Sequence, residues 1–425
     1  MEKKTARRTV LVLSLVLAIV AGLTYLISFL IKGYRPTINQ NRFGFLPTGL
    51  LVANSDPGGA SVYINDKLAT ATDDTVSLPP DEYLIKIEKD GYLPWFKTLT
   101  IQKEIVTQTN ALLFRSTPDL KPLTSTGAIK PTLSADGSKI VYGVTNSASA
   151  EKNGIWVLDL SSNLPLNRAN NRQISGAIDK IDWEAASFIW SPDNKGVLLV
   201  TQENGKITSA YLIPTDKYTS GEKLVDASIR LTLILEEWQK EQEEELKLKI
   251  AKLPKELVEI ATTSAKMVNF SSDGERFFYF AKEAIKIPEN LIPHPPARST
   301  QPEERKIRPG NIYVYDIKQD TNFLIGSAES LVWVEPQKPA ESGFLDLSAY
   351  QPQAPSWLTN NHIVYIDQGK KEVKVVESDS TNIQTIYSGP FNNGFIFPSP
   401  SSRSLIVLTS LHPDSPGNLY EIRVR

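Results

Sequence analysis

The chain has 425 residues, which allows two or three domains at roughly 100–200 residues each. It carries 46 Lys and Arg against 48 Asp and Glu, a formal net charge of −2, and so lacks the basic excess of a nucleic-acid binder. It has no cysteine, which excludes disulfides, thiolate nucleophiles, zinc–cysteine sites and iron–sulfur clusters.

Residues 1–8 are basic, with Lys3, Lys4, Arg7 and Arg8. They precede an uncharged run from Thr9 to Ile31, TVLVLSLVLAIVAGLTYLISFLI. About 20 such residues in a helix span a bilayer's hydrocarbon core. Positive flanks stay on the cytoplasmic side, so the run predicts a single-pass helix over 9–31 with residues 1–8 inside and the bulk outside. Lys32 and Arg35 weaken that asymmetry. A cleaved signal peptide is the rival. It would have a shorter apolar region ending in a small-x-small site, and Ala18-Ile19-Val20 does not supply one. A retained anchor in the cytoplasmic membrane is therefore expected.

Residues 32–48 contain Pro36, several Asn and Gln and little periodicity, and predict a tether. From 49 to 114 the pattern turns to short strands. Ser61-Val62-Tyr63-Ile64 alternates, Asn65-Asp66 reads as a tight turn, and Tyr83, Ile85 and Ile87 share one face of a strand. These features predict a small β-sandwich. The run Ser55-Asp56-Pro57-Gly58-Gly59-Ala60 through Val62-Tyr63-Ile64-Asn65-Asp66, then Leu78-Pro79-Pro80-Asp81 and Lys89-Asp90-Gly91-Tyr92-Leu93-Pro94, resembles the PEGA domain family. The name-giving motif is Pro57-Gly58-Gly59-Ala60, with Gly in place of Glu, and 70–75 lacks the family's Gly-x-Thr-Pro. The resemblance implies a cell-envelope module without catalysis, its motif residues serving as turns and core.

From 118 to 425 a unit recurs: a polar turn, Asp-Gly or an equivalent, then an apolar strand. Copies begin at Pro131, Phe188 and Val268, and weaker ones at Pro355 and Phe397. Each is too small to bury its own face, as in propeller blades. The hairpins Ser134-Ala135-Asp136-Gly137, Ser191-Pro192-Asp193-Asn194 and Ser271-Ser272-Asp273-Gly274 resemble the WD40-like repeat of TolB-type propellers. Five or six blades are expected, and Lys121-Pro122-Leu123-Thr124 reads as an outer strand completing the last one. The fold class is thus mainly β: an N-terminal transmembrane helix, a PEGA-type sandwich, then a TolB-like propeller. The soluble part as a whole resembles PEGA–propeller proteins of small, uncultivated-type bacteria, a likeness that implies no particular activity.

Two insertions interrupt the repeat. Residues 227–260 read as helix, with Leu231, Ile234, Leu235 and Trp238 at helical spacing and Glu241, Glu243, Glu244 and Glu245 in an acidic stretch. Residues 286–309 read as a long Pro-rich, charged loop with Arg298, Arg305, Lys306 and Arg308. Trp238, Glu241, Glu244, Arg298, Arg305 and Arg308 are candidates for a partner surface. The plainer alternative is that the opposite charges hold loop against helix.

No catalytic pattern is present: no Gly-x-Ser-x-Gly, no His-Glu-x-x-His, no Walker loop. The three histidines, His294, His362 and His412, are scattered beside turns or prolines and read as surface groups. Trp156, Trp183, Trp190 and Trp357 fall in or near blade strands, as core or as sugar platforms. No cofactor or metal is expected. The reading is a non-catalytic envelope binding or scaffolding protein whose partner is an envelope protein or glycan. The alternative is a polysaccharide hydrolase or lyase built on the propeller, since glycosidase carboxylates are brought together by the fold rather than by sequence.

Overall fold

The computed structural model describes residues 2–31, 34–39, 42–161, 170–179, 181–203, 206–328, 331, 355–367, 369–392, 395–412 and 415–425. The chain divides into two units, Met1–Leu113 with His294–Gln301, and Phe114–Pro293 with Pro302–Arg425.

The first unit begins with helix α1, Glu2–Ile31. Side chains from 12 to 28 are all exposed, among them Leu13, Leu15 and Leu17 at 62–72%. Among the described residues no helix is long and apolar enough to cross a membrane. Within 32–48, the expected tether, Arg35–Asn39 pairs antiparallel with Arg42–Leu46. Such a ladder is defined by backbone hydrogen bonds, which hydrophobic periodicity does not read.

The sandwich follows. A four-stranded sheet carries Lys67–Ala71, Ser61–Ile64, Asp81–Glu88 and Trp95–Ile101 in that spatial order. A second sheet sets Gly49–Ala53 between Val106–Gln108 and Asp74–Leu78. Between them Leu51, Val62, Ile85, Ile87, Trp95 and Ile101 are almost fully buried. Ile85 and Ile87 point inward while Leu84, Lys86 and Glu88 stay outside, as the alternation requires. Asn65 and Asp66 both take positive φ, 48° and 63°, the two-residue turn that matches strand twist. The Pro57–Ala60 motif is a clamped turn. Thr72 Oγ1 accepts the Ala60 amide at 2.9 Å and the Ser55 hydroxyl at 2.8 Å, and Lys89 Nζ donates to the Gly58 carbonyl at 2.7 Å. The motif therefore builds the fold and leaves no group for chemistry.

The second unit holds five four-stranded antiparallel sheets among the described residues, here called blades 1 to 5. Blade 1 comprises Ile129–Leu133, Lys139–Val144, Gly154–Asp159 and Asn170–Gly176. Blade 2 comprises Ala186–Trp190, Gly196–Glu203, Lys206–Pro214 and Val225–Asp226. Blade 3 comprises Ala265–Phe270, Arg276–Ala281, Asn311–Asp316 and Thr321–Ser327. Blade 4 comprises Ser356–Thr359, His362–Asp367, Glu372–Glu377 and Gln384–Tyr387. Blade 5 takes Ile396–Pro398, Ser404–Thr409 and Asn418–Arg423 from the C-terminal part, and its outer strand, Asp119–Pro122, from the start of the unit. That pairing completes blade 5, and the outer strand expected at Lys121-Pro122-Leu123-Thr124 runs from Asp119 to Pro122. Arg115 reinforces it by donating its amide to the Val424 carbonyl at 2.9 Å and its Nε to the Arg425 carbonyl at 3.1 Å.

The recurring polar hairpin has one construction. Ser134, Ser191 and Ser271 each donate a hydroxyl to Asp136, Asp193 and Asp273 at 2.6 Å. Each aspartate accepts a backbone amide two residues on, from Ser138, Lys195 and Glu275. Each serine oxygen accepts an amide five residues on, from Lys139, Gly196 and Arg276. The residue after each aspartate, Gly137, Asn194 or Gly274, takes a positive φ of 58–72°.

Blade faces are apolar on both sides because each blade packs on two neighbours. Val141, Ile155 and Val157 of blade 1 meet Phe188, Trp190, Val197 and Leu199 of blade 2. The opposite face of blade 1, with Ile140 and Tyr142, meets Phe397, Ile406 and Leu408 of blade 5. Phe278 and Phe280 of blade 3 meet Ile363 and Tyr365 of blade 4. Between blades 2 and 3 lies the helical insertion: helix α2, Leu231–Ile250, and helix α3, Lys255–Glu259. Leu231, Ile234 and Leu235 cover Ile189, Leu198 and Val200 of blade 2, and Ile250, Leu253 and Leu257 share a cluster with Phe277, Tyr279 and Tyr313 of blade 3. These are the faces that blades 1 and 4 leave free, so the insertion is a wedge between two blades. Its acidic side is exposed and, among the described residues, makes only local pairs, such as Lys249–Glu245 at 2.8 Å.

Candidate ligand groove

The six candidate partner residues do not share one environment. Trp238 is half-buried against the core formed by α2 and blade 2. Glu241 and Glu244 are exposed on α2, and no ion pair joins either to Arg305 or Arg308 among the described residues. Arg298 is exposed and belongs to the first unit, where the same segment meets the last strand of the sandwich: Gln301 Nε2 donates to the Thr98 carbonyl at 2.7 Å. Arg308 is exposed, with its amide on the Tyr313 hydroxyl at 2.9 Å. Arg305 is 8% exposed and turned inward. It donates to Glu303 at 3.0 Å, to the Pro288 carbonyl, and to both the carbonyl and the carboxylate of Asp320. A buried guanidinium needs its donors matched, and these oxygens take four of its five N–H groups from inside the unit.

His362 also departs from its surface reading. It is 4% exposed at the start of a blade 4 strand, with Nδ1 2.9 Å from Thr359 Oγ1, Glu377 at 3.9 Å, and its ring edge-on to Phe114. No cluster of three or more His, Cys, Asp or Glu poised for a metal occurs among the described residues.

The four blade tryptophans separate on one test, the fate of the indole N–H. Trp190 donates to the Thr132 carbonyl at 2.9 Å, Trp156 to Lys152 at 2.9 Å and Trp357 to Asn269 at 3.1 Å. All three are tied into the fold. Trp183 donates to nothing among the described residues and is only half-buried.

Trp183 lines an open groove of about 960 Å³ at one rim of blade 1. An antiparallel meander brings the start of the first strand, the end of the second, the start of the third and the end of the fourth to the same rim. Hence Lys130, Thr145, Asn146 and Asn153 meet there, and the loop from blade 1 to blade 2 adds Ile178, Asp182 and Glu184. Lys130 and Asn146 hold positive φ, 48° and 54°, and the strand pairing slips beside Lys130 between Ile129 and Thr132. Such a bulge re-aims side chains at a sheet rim. Asp182 Oδ1 accepts the amides of Glu184 at 2.9 Å and Ala185 at 3.4 Å, which shapes the loop that presents Trp183. The six-membered ring of Trp183 lies over Gly143, where a Cβ would stand 2.4 Å from Cζ3. Phe188 backs the indole, ring centroids 6.4 Å apart. The platform is thus fixed from beneath. Sequence reasoning named Trp183 but not the groove, because Lys130, Asn146, Asn153 and Glu184 are distributed over four chain segments.

Residues 48–116 match the PEGA domain family, and the chain carries a PEGA domain there. No curated protein matches the sequence. Among solved structures, TolB from Acinetobacter baumannii is 13% identical over 81% of this chain and 60% of its own, with a TM-score of 0.22. An auxiliary nutrient binding protein from Bacteroides thetaiotaomicron is 9% identical over 86% of this chain and 90% of its own, TM-score 0.25. An oligogalacturonate lyase in complex with manganese is 9% identical over 81% and 86%, TM-score 0.25. Scores this low carry no functional argument. The class rests on the PEGA domain and the five-blade topology: a PEGA–propeller chain.

Proposed function

We propose that this chain is a non-catalytic binding or scaffolding protein of the cell envelope, held in the cytoplasmic membrane by α1 with its N-terminus inside and both units outside. The observation that carries the proposal is α1. Its described side chains, 12 to 28, are uncharged and exposed on every side. Leaving apolar surface in water is unfavourable by roughly 25 cal/mol per Å². A lipid bilayer removes that penalty, and the uncharged run continues to Thr9 and Ile31, the length a crossing requires. The PEGA domain at 48–116 supports an envelope setting. The groove at blade 1 gives the large unit a place to hold a ligand.

Protease added to intact spheroplasts tests the topology. Digestion of the large unit with survival of a short membrane-bound fragment is the expected result, and full protection would overturn it. Pull-down of the full chain from native membranes should retain an envelope protein or glycan. Turnover of an envelope polysaccharide, abolished by Asp182→Asn or Glu184→Gln, would replace binding with hydrolysis or lysis.

A further inference from the structure

We propose that the groove over blade 1 binds a neutral pyranose oligosaccharide, with Trp183 as its stacking platform. The inference deepens the reading of the chain as an envelope binding protein and rests on it.

The groove brings together polar groups that have no protein partner among the described residues. Among the described residues, the Lys130 ammonium, the Asn146 amide, the Glu184 carboxylate and the Trp183 N–H make no hydrogen bond or ion pair, although all four line one groove. Asn153 Oδ1 is taken by the Ser147 amide at 2.9 Å, which fixes the side chain and leaves its NH₂ as a donor. Asp182 Oδ1 is taken by the Glu184 and Ala185 amides, which leaves Oδ2 as an acceptor. The other three blade tryptophans, Trp156, Trp190 and Trp357, each donate the indole N–H to a backbone carbonyl.

The arrangement of these groups selects the ligand. A pyranose ring has an apolar face of C–H bonds and a rim of hydroxyls that both donate and accept. An indole held rigidly by Gly143 and Phe188 fits the face. Two carboxylates accept from hydroxyls, while an ammonium and two amides donate to them, and ligand sites pair few such groups with apolar walls. Ile178 and Ile181 supply those walls. Among the described lining residues, Lys130 against Asp182 and Glu184 leaves one net negative charge. That repels uronates and phosphorylated ligands and favours an uncharged chain. The groove is open and its volume lies at the upper end of small-molecule sites, so it accommodates several linked sugars.

The test is calorimetric titration of the full chain in nanodiscs with cellotetraose, maltotetraose and mannotetraose, and with tetragalacturonate as the anionic control. At least one neutral tetraose should bind, Glu184→Gln and Trp183→Phe should each weaken it tenfold or more, and tetragalacturonate should bind at least tenfold more weakly. Glu184 is exposed and its carboxylate bonds nothing among the described residues, so Glu184→Gln should melt with the parent and keeps the test valid if Trp183→Phe does not fold. The proposal is overturned if no neutral tetraose binds, if Glu184→Gln leaves binding unchanged, or if the uronate binds equally well. The spheroplast digestion reads the envelope assignment independently. Digestion of the large unit together with no saccharide binding removes the sugar ligand alone, whereas full protection removes the envelope reading itself.

Discussion

The Arg305 guanidinium stands 3.4 Å from the Asp320 carboxylate, with the two side chains 8% and 0% exposed. Asp320 holds a φ of 52° in the turn between the two outer strands of blade 3. Its other oxygen accepts the Tyr315 hydroxyl, and Leu291 donates its amide to Oδ2 at 3.2 Å. Burial and the hydrogen bond to Asp320 push the Tyr315 hydroxyl well above its usual range, so it stays a donor. One carboxylate therefore ties both sides of the long excursion 286–309 to the blade.

Removing Arg305 leaves the fully buried Asp320 carboxylate without its counter-charge, which costs about 3–5 kcal/mol. Arg305→Ala should lower the urea midpoint of the large unit accordingly, with Arg305→Lys intermediate because an ammonium cannot reach Glu303, Pro288 and Asp320 at once. A loss under about 1 kcal/mol for Arg305→Ala would show that the network is not structural.

The wedge between blades 2 and 3 makes a second prediction. Leu235 is 2% exposed against Ile189, Leu198 and Val200. Leu235→Ala should cost about 2–5 kcal/mol, the transfer and cavity terms together. Excision of 227–260 should be worse, because it uncovers apolar faces on two blades at once. A thermal melt in which the excised protein matches the parent would show that blades 2 and 3 close on each other without the helices.

The parts of this protein that were legible in the sequence are those made by local chemistry. Ser134-Ala135-Asp136-Gly137 and its relatives specify a turn within a few residues, so the blades could be counted to within one. Asn65-Asp66 and Pro57–Ala60 were legible for the same reason. The site was legible only in fragments. Trp183 reads like Trp156 until the indole N–H is followed to an acceptor, and among the described residues only Trp156 finds one. Arg305 and Arg308 are three residues apart in one charged loop, yet one is buried and the other exposed. That difference depends on Asp320 and Tyr315, which come from another turn and strand. The wedge could not be foreseen either, since an amphipathic helix declares its apolar face but not which two sheets that face will separate.

Two of the repeated turns carry a pH dependence. The Asp193 carboxyl is held below its usual 3.8 by the Ser191 hydroxyl and the Lys195 amide, with burial opposing. The Asp136 carboxyl is also lowered, burial being outweighed by Ser134, Ser138 and Lys139. A folded-state value below the unfolded one means that folding favours the ionised form. The stabilisation is therefore complete above the unfolded value of about 3.8 and is lost as pH falls through the lower folded values. The denaturant midpoint should drop below pH 4, and Asp136→Asn with Asp193→Asn should flatten that drop. A double variant with the parent's acid profile would locate the acid sensitivity elsewhere.

Gly143 links fold to groove, and its substitution separates two ways in which a glycine matters. Its φ is not in the left-handed region, so alanine meets no backbone penalty there. The constraint is space: a Cβ would stand 2.4 Å from Cζ3 and 2.7 Å from Cε3 of Trp183, closer than carbon atoms approach. Gly143→Ala should therefore push the indole off its seat, at a cost of about 1–3 kcal/mol for overpacking, and disturb the platform over which the groove is built. Gly137 gives the contrast. Its φ is +72° and nothing stands within 4 Å of an added Cβ, so Gly137→Ala acts through the backbone, by roughly 1 kcal/mol, and leaves the groove untouched. Measured on the full chain, Gly143→Ala should lower both stability and affinity for the neutral tetraose, whereas Gly137→Ala should lower stability alone. If both variants bind with the parent's affinity, the position of Trp183 does not control the groove. If both lose affinity in proportion to stability, binding reports the integrity of blade 1 and not the seat of the indole.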